Sequence, residues 1–200
     1  MGSTQKDDVT AFGSAHTFSE LVFSDLLRYR DENPSWVRVL LRCLVLPGMI
    51  ASVILRAQQC LYRSGHVKLA NIMRTVGLVL VSADFVPGMQ VGAGLLMPHP
   101  IGVIIGNGLK IGNNVTFGGG VTAGVKQPDG NPEQEFPTIC DGAIILANAV
   151  LVGGVRIGAH AQVGANSVVL SDVPDYAVVF GIPARKIAVR EENPNLMRGV

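Results

Sequence analysis

Apolar residues recur at every sixth position through most of the second half of the chain. A helix repeats every 3.6 residues or about that and a strand alternates about every two, so a period of six fits neither element alone. It fits a very short strand followed by a corner, with the apolar side chain in a narrow core and a glycine easing the turn. The series is Phe85, Val91, Met97; then Ile105, Ile111, Phe117, Ala123; then Ile139, Ile145, Leu151, Ile157, Val163, Val169.

Three such hexads would close one coil of about 18 residues, so about four coils fit between Val81 and Val173. A chance alternation in a glycine- and valine-rich sandwich is the simpler explanation of the pattern. The unbroken series after Thr138 argues against it. The sequence therefore predicts a mainly β fold, a solenoid of stacked coils.

Residues 17–80 carry a helical pattern instead and contain little glycine. Thr17-Phe-Ser-Glu20 has the form of a capping box, and breaks follow at Asn33-Pro34-Ser35, Pro47-Gly48 and Gly65. Four short packed helices are predicted, the third from Met49 to about Ser64 and the fourth from Val67 to about Val76. The whole organisation is then a flexible N-terminus over 1–16, helices over 17–80, the solenoid over 81–187 and a tail over 188–200.

The repeat is interrupted twice, and interruptions of a solenoid are the usual location of its function. Between Met97 and Ile105 the count slips by two, and the extra residues fall within Pro98-His99-Pro100-Ile101-Gly102. Residues 124–138 lack the period and hold three prolines, so they are expected to leave the coil as a loop.

The charge balance limits the partners, since 16 Lys and Arg face 15 Asp and Glu for a net charge of +1. That argues against nucleic acid or an anionic membrane as the main partner. The most membrane-like stretch, Trp36–Leu55, contains Arg38, Arg42 and Pro47, so it predicts a buried or interface helix pair and no membrane span. Three widely spaced cysteines and the absence of a secretory leader at the start favour the cytoplasm.

His99 is the residue best suited to chemistry, because the flanking prolines fix its backbone and an imidazole is a good general base near neutral pH. Asp84 precedes it by close to one coil, so its carboxylate can orient the ring from the adjacent level. A simple turn-capping role for His99 is the alternative. A zinc site needs three or four ligands. The solenoid offers only His99 and His160, so no metal is expected.

Four motifs within Asn33–Ile187 resemble the serine acetyltransferase branch of the hexapeptide-repeat acyltransferases. They are Pro47-Gly-Met-Ile-Ala-Ser, Met97-Pro-His-Pro-Ile-Gly-Val-Ile-Ile-Gly, Gly164-Ala-Asn-Ser-Val-Val-Leu and Gly181-Ile-Pro-Ala-Arg-Lys-Ile. The resemblance implies a left-handed parallel β-helix, homotrimers with active sites at subunit interfaces, and acetyl-CoA as the acyl donor. His99 falls on the general base of that family and Asp84 on its carboxylate partner.

The resemblance also implies a binding groove for the donor. Gly124, Ala147 and Ala165 fall on positions that contact CoA through backbone groups. Arg185 and Lys186 lie in the closing motif, where basic side chains can meet the cofactor phosphates, unless they serve only as surface ion pairs. Lys126 is a weaker phosphate candidate.

The acceptor pocket departs from the family pattern. Where the family has two aspartates and an arginine–histidine pair for free serine, this chain has Asn33, Pro98, Glu135 and Phe136. Lost charged contacts each cost a few kcal/mol, on the order of 2 to 3. We therefore expect an acetyl-CoA-dependent O-acyltransferase acting on a non-serine hydroxyl, best a sugar stacked on Phe136, unless that ring anchors the loop. The alternatives are a serine or homoserine O-acetyltransferase and a non-catalytic trimeric scaffold.

Overall fold

The computed structural model describes residues 16–126 and 135–190. Four helices precede the strands in these ranges: α1 Phe18–Leu27, α2 Trp36–Val45, α3 Pro47–Arg63 and α4 Val67–Val81. Thr17 caps α1 as the capping box predicts, because its hydroxyl accepts from the Glu20 amide and the Glu20 carboxylate accepts from the Thr17 amide. The predicted flexible N-terminus, apart from His16, lies outside the described residues.

Two helices are longer than predicted. α3 begins at Pro47 and not at Met49, because a proline at the first helical position has no amide hydrogen bond to lose. α4 continues past Val76 to Val81 through Gly77, whose small size leaves room for Ile54 of α3. The helical segment therefore ends one residue later than predicted.

Fourteen short strands follow in the described ranges, and successive strands pass from one sheet to the next. The first sheet has the order β1-β3-β6-β9-β12, the second β2-β4-β7-β10, and the third β5-β8-β11-β13-β14. Every pair is parallel except β13 with β14. The strands are β1 Asp84–Phe85, β2 Gln90–Val91, β3 Ile104–Ile105, β4 Lys110–Ile111, β5 Thr116–Phe117, β6 Thr122–Gly124, β7 Thr138–Ile139, β8 Ile144–Ile145, β9 Val150–Val152, β10 Arg156–Ile157, β11 Gln162–Val163, β12 Val168–Val169, β13 Ala177–Gly181 and β14 Ala184–Val189.

This rotation through three sheets makes a three-sided solenoid of four coils and the start of a fifth. The thirteen residues of the hexad series line its core, and none of their side chains is more than 3% exposed. The left-handed winding stays a prediction.

The pairing register locates the slip in the repeat. Asp84 pairs with Ile104, 20 residues later, whereas Ile104 pairs with Thr122, 18 residues later. The first coil therefore holds the two extra residues that the sequence placed at 98–102.

The loop and the tail are both shorter than predicted. Gly124 ends β6 and Thr138 begins β7, so both predicted loop ends belong to strands, and residues 127–134 between them lie outside the described ranges. β14 continues to Val189 because it pairs antiparallel with β13, so the tail does not begin at residue 188. Residues 191–200 lie outside the described ranges.

A buried ion pair joins the helices to the first coil. Arg56 of α3 donates two hydrogen bonds to the carboxylate of Asp25 in α1, at 2.8 and 2.9 Å. Arg56 also donates to the carbonyls of Val91 and Gly92, while Asp25 accepts from the Leu95 amide at 2.7 Å. Both partners thereby hold the helices against the coil that carries His99.

In residues 16–126 and 135–190, no helix is long and apolar enough to cross a membrane. α2 is not buried within the single chain, since Val37, Leu40 and Leu44 are 68%, 64% and 75% exposed. Of the two expectations for this segment, burial is wrong for its outer face and a role at an interface stays open.

Candidate active site

One edge of the solenoid gathers His99 and two of the predicted CoA-contacting residues. It is the corner between the third and first sheets, formed by residues 98–102, 118–120, 146–148 and 164–166, and we call it the His99 edge. Backbone hydrogen bonds connect its levels: the amides of Gly120, Asn148 and Asn166 donate to the carbonyls of Ile101, Gly119 and Ala147, all at 2.8 to 2.9 Å. Ala147 and Ala165 thus stack on the levels beyond His99.

The backbone around His99 is held from both sides. The Met97 carbonyl accepts a hydrogen bond from the Tyr29 hydroxyl at 3.1 Å. Burial raises the pKa of Tyr29, so this hydroxyl keeps its proton and remains a donor. Gly119 lies against the other side, where a Cβ would approach the His99 carbonyl to 3.1 Å. The His99 side chain is exposed, and no other group in the described ranges hydrogen-bonds or ion-pairs with it.

Asp84 lies beside this corner in the backbone but has a different partner from the one predicted. Its amide donates to Val103, and the Gly102 amide donates to Ser82, so the strand of Asp84 adjoins the slip. Its carboxylate accepts from Nε and Nη2 of Arg74 at 2.5 and 2.7 Å. The hydrogen bond to Asp84 raises the pKa of Arg74, and burial opposes that shift only in part. The predicted contact of Asp84 with His99 is absent from the interactions of the described residues.

Sequence reasoning missed Arg74, although a signal for it was present. It is the one charged residue between positions 69 and 83, in an otherwise apolar helix, and Asp84 is the first charge after it. A lone charge on such a helix calls for a partner nearby, and Asp84 is that partner.

The other predicted CoA residues lie toward the far end of the solenoid. Gly124 ends β6, and its carbonyl accepts from the Gly153 amide. Arg185 and Lys186 are exposed on β14. Arg185 pairs with Phe180, whose ring packs on Gly164 next to Ala165. Their roles toward CoA stay predictions, as does that of the exposed Lys126.

The four predicted acceptor residues do not meet within one chain. Pro98 lies on the His99 edge, and Asn33 is exposed between α1 and α2. Glu135 packs against Gly154 and Phe136 against Gly108, at the turns between the first and second sheets. A Cβ at Gly108 would lie 2.1 Å from the Phe136 ring, so this ring anchors the base of the loop. The loop therefore presents its two residues on a different edge from His99.

Comparisons with known proteins identify the repeat. Residues 136–171 match the family model described as bacterial transferase hexapeptide (six repeats). A serine acetyltransferase of Mycobacterium tuberculosis is 32% identical over 170 residues, which cover 85% of this chain and 73% of the relative. Serine acetyltransferase 2 of Arabidopsis thaliana is 35% identical over 174 residues, covering 86% and 53%. This chain therefore spans about half the length of that plant relative.

Solved structures agree with these relatives. The serine acetyltransferase of Neisseria gonorrhoeae in complex with serine superposes with a TM-score of 0.75 at 33% identity, covering 86% of this chain and 69% of that one. The serine acetyltransferase of Brucella abortus in complex with coenzyme A gives a TM-score of 0.77 at 28% identity, covering 87% and 69%.

These relatives overturn one expectation. The departures at Asn33, Pro98, Glu135 and Phe136 led to the prediction of a non-serine acceptor, best a sugar. That prediction is wrong, because the relatives and the solved structures that match are serine acetyltransferases. The position of Phe136 agrees with this correction, since its ring packs on Gly108 instead of standing free to stack on a sugar. The chain belongs to the serine acetyltransferase branch of the hexapeptide-repeat acyltransferases.

Proposed function

We propose that the protein transfers an acetyl group from acetyl-CoA to the hydroxyl of serine. The observation that carries the proposal is the exposed His99, fixed between two prolines on the edge where Ala147 and Ala165 stack. An exposed imidazole beside a groove of backbone groups suits a general base that acts on a bound thioester. The complexes of the Neisseria and Brucella relatives with serine and coenzyme A support both substrates.

The reaction follows from the chemistry of these groups. His99 takes the proton from the serine hydroxyl as the oxygen attacks the thioester carbonyl carbon. Backbone N–H groups along the edge stabilise the oxyanion of the tetrahedral intermediate. The carbon–sulfur bond then breaks, the imidazolium returns its proton to the departing thiolate, and O-acetylserine and CoA result. Asp84 orients the imidazole and stabilises its charged form.

The active site is proposed to form between subunits of a homotrimer. His99 and Pro98 lie on one edge of the solenoid, while Glu135 and Phe136 lie on another, so a single chain leaves the two halves apart. A second subunit would bring its loop to the His99 edge of the first. The exposed carboxylate of Glu135 then supplies a negative charge for the ammonium group of serine. Left-handed winding and a cytoplasmic location complete this proposal, and the three unpaired cysteines agree with the latter.

The test follows thiol release from acetyl-CoA with serine, with homoserine and without an acceptor. We expect turnover with serine, loss of turnover in His99→Asn, and unchanged CoA affinity by calorimetry. His66→Asn is the matched control, because His66 is exposed at the start of α4, away from the His99 edge. Turnover by His99→Asn, or no serine-dependent release by the native protein, would contradict the proposal.

A further inference from the structure

Arg74 and Asp84 form a two-point ion pair next to the candidate general base. Nε and Nη2 of the guanidinium each donate to a different carboxylate oxygen, at 2.5 and 2.7 Å. The side chains of Arg74 and Asp84 are 37% and 21% exposed, so the pair sits at the surface but is partly shielded. Such fork-to-fork pairing fixes the plane of a carboxylate as well as its position.

Both partners are carried on elements that cannot shift easily. The Gln58 side chain of α3 donates to the carbonyl of Phe85, the residue after Asp84, at 2.5 Å. α4 is packed on α3, where Gly77 lies against Ile54. The guanidinium is therefore aimed at the carboxylate by the packing of two helices and the first strand.

Few other charges act on this carboxylate. Arg74 faces it from α4, and His99 is the titratable group of the adjoining corner. The neighbour from α3 is the neutral Gln58, and β3 brings the apolar Ile104 alongside in the pairing register. Arg74 is thus the charged side chain of the described ranges that hydrogen-bonds to Asp84.

We propose that Arg74 is a positioning residue for acetyl transfer, which fixes the Asp84 carboxylate and moderates its charge toward His99. This inference rests on the proposed function. Each carboxylate oxygen keeps a second lone pair while Arg74 holds the first, so Asp84 can still accept a hydrogen bond from the imidazole. The guanidinium offsets part of the carboxylate charge, which limits how strongly Asp84 favours the imidazolium over the neutral base.

The experiment compares Arg74→Met, which removes fork and charge, with Arg74→Lys, which keeps the charge. Arg63→Met, at the exposed end of α3, is the matched control. We expect kcat to fall about 10-fold in both Arg74 variants, a part of what a general base contributes, with the KM for acetyl-CoA unchanged. The acidic limb of the pH profile of kcat/KM should move to higher pH by about one unit in Arg74→Met and stay in place in Arg74→Lys.

A second readout does not depend on turnover. The imidazole resonances of His99, identified by their loss in His99→Asn, are titrated by NMR in the native protein and in Arg74→Met. A higher midpoint in Arg74→Met supports the inference even if serine is not the acceptor, so the two proposals fail separately. An unchanged midpoint together with kinetics equal to those of Arg63→Met would overturn it.

Discussion

Asp25 and Arg56 form an ion pair in which neither side chain is exposed, and this pair spans α1, α3 and the first coil. Burial raises the pKa of Asp25, while the charge and hydrogen bonds of Arg56 and the Leu95 amide oppose that shift. The cluster is satisfied only as a unit, so removing one partner leaves the other charge buried without compensation.

Asp25→Asn should therefore lower the free energy of unfolding by about 3 to 5 kcal/mol, as expected for breaking a buried pair. Urea titration at pH 7 measures the change. The double variant Asp25→Leu with Arg56→Met is the control, because it removes both charges and should recover part of the loss. A loss below about 1 kcal/mol, as for a surface pair, would contradict this account.

Gly108 is required because Phe136 occupies the space of its side chain. Its φ is not positive, so alanine is compatible with the backbone and only the ring opposes it. Gly108→Ala should displace the ring and destabilise the protein, and Phe136→Ala alone should cost about 1.5 kcal/mol for a half-buried ring. In the Phe136→Ala background, Gly108→Ala should cost almost nothing. Denaturation of the four proteins gives the coupling, and additive losses would show that the ring does not fill this space.

Arg185 and Lys186 should bind the phosphates of CoA. Replacing both by alanine should weaken CoA binding about 10-fold, since each exposed phosphate contact contributes on the order of 1 kcal/mol. Calorimetry at low and high salt checks this, because the native protein should lose affinity with salt more steeply than the variant. Arg63→Ala provides the control at a distant exposed arginine. Equal affinity of variant and native protein would leave these residues a surface role only.

Asp31 should make stability depend on acid. Burial acts to raise its pKa, but hydrogen bonds from Arg42 and Arg38 outweigh burial and hold the pKa below its usual range. A lowered pKa stabilises the fold above the unfolded value of about 3.9, and this contribution is lost as pH falls through the folded value. Asp31→Asn should therefore melt below the native protein at pH 7 and approach it near pH 3. A difference between the two proteins that is the same at both pH values would exclude this pair as the source.

The solenoid was predictable because its information is local. Each hexad places one apolar residue in the core, and a count along the chain is enough to find Phe117 or Ile145. The slip at 98–102 was equally visible, since it breaks a count. Helix ends were less so, because the extension of α4 through Gly77 depends on Ile54, which is far away in the sequence.

The candidate site was predicted only in part, for the same reason. His99 stands out by its prolines, and the stacking of Ala147 and Ala165 follows from the coil length. The pairing of Asp84 with Arg74 and the packing of Phe136 on Gly108 are tertiary contacts with no repeat to announce them. The acceptor was misjudged because residues at an interface were treated as the pocket of a single chain.

The two additional residues in the first coil have a consequence for how this protein could change. Coils that obey the 18-residue register are interchangeable, since each presents the same wall to its neighbours. Only the coil with 20 residues is distinguishable, and it holds His99. Shortening the solenoid at the far end leaves the reactive corner where it is. Trimming two residues from the first coil would yield a more regular prism that has lost its chemistry.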